Sequence, residues 1–171
     1  MTRRATLVAA VAAGLVLAGC GASQQETVDW TNGLCRSYAT FADAAQVGPA
    51  QAGDLAGQAR NLSSYLGDTV GSLDRALAGL DALGASPVSG GDEAVTRFRD
   101  QLTRYRGAFA QAKGQVDGLN LASPTVRVDL QNAVAPVLAL QDTTQDPLAD
   151  LGPDVRAAAA QAPACQELGG G

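Results

Sequence analysis

Histidine is absent from all 171 residues, and the only lysine is Lys113. The first absence removes the commonest general base near neutral pH and the usual nitrogen ligand of zinc, copper and haem iron. Serine-triad, Cys-His and zinc-hydrolase mechanisms lose their central residue. Glutamate is limited to Glu26, Glu93 and Glu167, too few for a di-iron bundle, which also needs Glu-x-x-His pairs. Aromatic residues make up 4% of the chain, and no sustained period-2 alternation occurs, which argues against a β-rich fold. Basic tracts are missing as well. A formal net charge of −5 disfavours DNA and RNA, whose phosphates need clustered cations. The inventory therefore predicts a non-catalytic protein with no cofactor, no metal site and no nucleic-acid partner. Carboxylate-only chemistry is the remaining enzymatic alternative, since two acids at a set separation suffice for glycoside hydrolysis.

What is present begins with an address. Arg3 and Arg4 precede an apolar run from Ala5 to Leu17, which is shorter than the roughly 20 residues a membrane-spanning helix needs. Small residues follow, so the segment reads as a signal peptide. Leu17-Ala18-Gly19-Cys20 resembles the lipobox of bacterial lipoproteins. That resemblance implies cleavage between Gly19 and Cys20 and acylation of Cys20, which becomes the mature N-terminus. The expected partner is then membrane lipid, and the expected place is the extracytoplasmic face of the cell membrane. Almost all-arginine basic residues with abundant alanine and glycine read as the coding bias of a GC-rich bacterium, and the chain resembles the small secreted lipoproteins of actinobacteria.

Residues 1–19 are thus assigned to the signal, 20–27 to the lipidated end and a tether, 28–168 to one domain and 169–171 to a frayed tail. The remaining chain of roughly 150 residues suits a single core. Loss of Arg3 and Arg4 takes its net charge to about −7.

Cys35 and Cys165 are the cysteines left after the anchor. An exported chain matures in an oxidising compartment, and two cysteines allow one intramolecular connectivity, so a bridge between the ends of the domain is expected. Trp30, close by in sequence, is expected to pack beside it.

The domain reads as all-α, an antiparallel four-helix bundle with a kinked or broken fourth helix. Trp30, Leu34, Tyr38 and Phe41 recur at helical spacing in a first helix from Val28 to before Gly48. A second runs from about Asp54 to Leu83 with a leucine stripe, interrupted by Gly57, Gly67, Gly71 and Gly79, each costing about 1 kcal/mol against alanine. The loop Ser86–Gly91 precedes a third helix, capped by Asp92, whose Val95, Phe98, Leu102, Tyr105, Phe109, Ala112, Val116 and Leu119 form a seam. Ser123 and Pro124 are expected to cap and start the fourth, which carries Val126, Leu130, Val134, Val137 and Leu138 and is kinked by Pro136. A short turn-like piece between Asp146 and Gly152 leads to a last helix, Pro153 to Gln161.

Three sets of side chains invite functional readings. Arg97, Arg99, Arg104 and Arg106 form a dense basic run that could receive an anionic partner, or could flank the seam, with Arg99 and Arg106 facing Asp81 and Asp74 across a hairpin. Asp142, Asp146, Asp150 and Asp154 lack the glycine and bidentate glutamate of a calcium loop and read as a solvated face. Pro136 could open a pocket for a small ligand or lipid by splaying the fourth helix. The leading expectation is a binding or scaffold module for an envelope protein.

Overall fold

The computed structural model describes residues 23–141 and 152–169, and these form helices joined by turns and short loops, with no strand among them. Three long helices carry the core: α1 (Gln24–Val47), α2 (Leu55–Asp81) and α3 (Gly91–Asp117). Two pairs of short helices flank them: α4 (Val126–Ala133) with α5 (Ala135–Gln141), and α6 (Pro153–Ala159) with α7 (Pro163–Gly169). The α4–α5 pair packs on α3, and the α6–α7 pair packs on α1.

α1 starts earlier than its apolar spacing suggests. Glu26 N–H donates to Ser23 Oγ at 3.2 Å while Ser23 N–H donates to Glu26 Oε2 at 2.7 Å, a reciprocal capping box. The expected tether through Thr27 is therefore corrected: residues 24–27 are the first turn of α1, since the cap satisfies its otherwise unpartnered N–H groups. Asp54 caps α2 as expected, accepting from Gly57 N–H at 2.6 Å.

At α3 the cap differs from the expectation. Gly90, with φ +79°, occupies the N-cap, and Asp92 instead accepts from Ser86 N–H at 2.7 Å, closing the preceding loop. Gly91 must also be glycine, because a Cβ there would collide with Ser86 Oγ and stand 3.0 Å from Trp30 Cη2.

The fourth helix is broken. Pro136 has no N–H for the Asn132 carbonyl, so α4 ends at Ala133, and α5 begins at Ala135 on the far side of Val134. Its start is also later than expected: Ser123 accepts from Thr125 N–H and from Val126 N–H, forming a turn, and Thr125 is the N-cap. The break resets the buried face. Val126 and Ala133 are buried, with Leu130, Val137 and Leu140 packed on the core, whereas Leu138 is turned to solvent. Beyond Gly152, the single expected helix is two, since α6 stops at Ala159 and Pro163 starts α7 through Gly169. The turn-like piece and most of the acidic run, Asp142, Asp146 and Asp150, lie outside the described residues, as do Gly170 and Gly171.

One apolar cluster joins all three long helices. Trp30, Leu34 and Phe41 of α1 meet Leu66, Leu73 and Leu80 of α2 and Phe98, Leu102, Tyr105, Phe109 and Val116 of α3. The seam of α3 is buried from Phe98 to Val116, with Val95 partly buried at its start. Ring pairs tie α1 to α3, with Tyr38 to Phe98 at 5.4 Å and Phe41 to Tyr105 at 5.5 Å between centroids.

Two of the α2 glycines are explained by close approach. A Cβ at Gly79 would lie 2.5 Å from Ser37 Oγ on α1, and one at Gly67 would lie 3.1 Å from Lys113 Cε on α3. The propensity cost of glycine is offset by the packing of neighbours that a methyl group would displace.

Candidate functional site

The α1–α7 junction is a small cluster of its own. Cys35 and Cys165 form a disulfide, with their Cα atoms 5.0 Å apart and 130 residues between them in sequence. Both are buried, among Ala162 and Ala164, with Val28, Ala159 and Leu168 packed around them. Asn32 Oδ1 accepts from Ala164 N–H at 2.9 Å, and Gln24 Nε2 donates to Gln161 Oε1 at 3.0 Å, so polar contacts flank the bridge on both sides. Trp30 does not pack here. It belongs to the main core, against the start of α3, because successive positions on a helix diverge by about 100° and Trp30 and Cys35 face different neighbours.

Gly19 and Cys20 lie outside the described residues. Among the described residues no helix is long and apolar enough to cross a membrane, and no group of three or more histidine, cysteine, aspartate or glutamate side chains is arranged to hold a metal.

The four arginines of α3 do not form one patch. Helical geometry puts Arg97 and Arg104 on one flank of the seam and Arg99 and Arg106 on the other. Arg99 pairs with Asp81 and Arg106 with Asp74, each at 2.5 Å. The hydrogen bond to Asp74 raises the Arg106 pKa further above its already high ordinary value. These partners are the ones expected across the hairpin, and they commit two of the four cations to α2. Asp154, the one described member of the acidic run, is exposed at the start of α6.

Continuing the same antiparallel register towards the start of α2 leads to a group that the sequence reading did not single out. Ser63 Oγ donates to Asp117 Oδ1 and Lys113 Nζ donates to Asp117 Oδ2, both at 2.5 Å. The Lys113 ammonium, and then the Ser63 hydroxyl, hold the Asp117 carboxyl below its ordinary pKa, against a small opposing effect of burial. The Lys113 methylenes lie over Gly67. The sequence signal for this group was the i,i+4 pair of the sole lysine with Asp117, read in register with Asp74–Arg106.

This network forms one wall of an open hollow of about 530 Å³, bordered also by Arg60, Asp68, Leu119 and Leu121. A second hollow lies by the disulfide-closed end, between Gln24, Asp29 and Asn32 of α1 and Gln161 and Pro163. Neither of these hollows borders Pro136, and they lie at opposite ends of the long helices. At the break Ala133 is buried in the main core, and Val137 and Leu140 pack against it.

No protein family, curated protein or solved structure matches the chain.

Proposed function

We propose that this chain is a lipid-anchored lipoprotein of a bacterial cell envelope, held at the extracytoplasmic face by acylated Cys20, and that it acts by binding and not by catalysis. The observation that carries the reading is the buried Cys35–Cys165 bridge. A cystine fastening the two ends of a small helical domain is the mark of a chain that matures outside the reducing cytoplasm, which is what the lipobox-like Leu17-Ala18-Gly19-Cys20 implies. The early start of α1 is in keeping with it. Only Gly21, Ala22 and Ser23 separate Cys20 from the first helical residue, so an acylated Cys20 would hold the domain within about 14 Å of the bilayer surface.

Architecture belongs to the same reading. Taken together, α4 and α5 serve as one broken fourth helix of an antiparallel four-helix bundle, since Leu130, Ala133, Val137 and Leu140 join the cluster built by α1–α3 and Val126 is buried. The α6–α7 pair is a strap closed by the disulfide.

Intact mass of the protein extracted from membranes tests the anchor. Loss of residues 1–19 with added acyl mass is expected, and an unmodified full-length chain refutes it. In-situ crosslinking of the anchored protein, with Cys20→Ala as control, tests the binding role. An envelope partner captured only by the anchored form is expected, and the absence of any reproducible partner counts against a scaffold.

A further inference from the structure

The hollow at the open end of the α2–α3 hairpin contains four charges, and two of them are already spent. Lys113 and Asp117 neutralise one another, with Ser63 on the remaining carboxylate oxygen. Arg60 and Asp68 are different: both line the hollow, both are exposed, and neither makes a hydrogen bond or ion pair with a described residue. Eight residues separate them along α2, about 12 Å of helix axis.

The floor between them is low and mixed. Ala59 and Val116 are buried there, Ala56 presents almost no side chain, Ser63 and Ser64 add hydroxyls, the Lys113 stem covers Gly67, and Leu119 and Leu121 form an apolar rim on which Leu121 is 44% exposed. At that separation a lone anion would engage Arg60 only and a lone cation Asp68 only, whereas a ligand with both charges engages both. The complementary ligand therefore carries both charges, one at each end of a slender body.

We propose that this hollow binds a short linear peptide with free termini, its carboxylate on Arg60 and its ammonium on Asp68. An extended chain spans about 3.3 Å per residue, so three or four residues cover the separation. Small floor residues leave room for a backbone, and the volume of about 530 Å³ is in the range of small-ligand sites. The proposal rests on the binding-module reading and supplies its ligand class. It also gives the site an orientation: α1 has 24 residues, about 36 Å, and α2 begins where α1 ends, so the hollow lies at the end of the domain opposite the start of α1.

The single lysine makes the test direct. Reductive methylation with ¹³C-formaldehyde labels Lys113 Nζ in the wall of the hollow while keeping its charge, and the ε-dimethylammonium resonance is followed in the full chain during titration with tetra-alanine. A saturable shift is expected, with N-acetylated and C-amidated tetra-alanine each binding about tenfold more weakly. Arg60→Gln should weaken tetra-alanine about tenfold yet leave the amidated peptide unchanged, and Asp68→Asn should do the same for the acetylated one. Absence of a saturable shift, or variants that weaken every form alike, overturns the proposal. Neither result depends on lipidation, which the intact mass reads separately.

Discussion

Ser37 of α1 and Gly79 of α2 meet at a close crossing of the two helices: a methyl group added at position 79 would stand 2.5 Å from the Ser37 hydroxyl oxygen. Ser37 is buried and donates to the Gly33 carbonyl one turn back at 3.1 Å, so its hydroxyl has little freedom to swing aside. One turn along, Gly33 lies so close to Leu83 that a Cβ would meet its Cδ2 at 2.6 Å. The crossing is set by glycine on both helices.

Gly79→Ala is therefore expected to destabilise the fold by about 1–2 kcal/mol, an overpacking cost only partly offset by better helix propensity. Chemical denaturation of the Gly79→Ala protein checks it. Pairing it with Ser37→Ala should recover part of the loss, because the second change removes the colliding oxygen.

Gly107 is the counter-case. It lies inside α3, and no neighbouring atom stands within 4 Å of the point where a methyl carbon would be added, so Gly107→Ala should stabilise by about 0.5–1 kcal/mol. A denaturation midpoint that falls would show that α3 is constrained there by something other than its own backbone.

Removing the bridge should be the most damaging of these changes. Closing a loop of 130 residues contributes about 4–5 kcal/mol by the chain-entropy argument, and the paired change Cys35→Ser with Cys165→Ser should cost about 2–5 kcal/mol. Hydrogen exchange should locate the early loss in α7, which is held to α1 by the bridge and by few other groups.

Acid should act partly through Asp117. Its folded pKa is lower than its unfolded one, so the stability it contributes is fully present above the unfolded value near pH 4 and is lost as pH falls through the folded value. Asp117→Asn should flatten the acid limb of the melting curve below about pH 4 and leave the neutral limb nearly unchanged, as exposed pairs contribute little. Thermal melts of both proteins between about pH 2 and pH 7 read the difference.

Much of the domain follows from order along the chain. The seam from Phe98 to Val116, the leucines at 66, 73 and 80, and the break at Pro136 follow from spacing and from the missing proline N–H, which are local properties. The Cys35–Cys165 pairing was legible because two cysteines leave one connectivity. So were the pairs Asp81–Arg99 and Asp74–Arg106, since a short loop forces an antiparallel hairpin. Other features were decided only by tertiary structure. Which glycines could be replaced depends on what approaches them, and Gly79 and Gly107 look alike in sequence. Trp30 lies five residues from Cys35 yet packs elsewhere, because helical rotation separates near neighbours in sequence. The hollow between Arg60 and Asp68 required α2 and α3 to be brought side by side, for its wall is built from residues some fifty positions apart, and a charge is left uncommitted only when every possible partner has been placed.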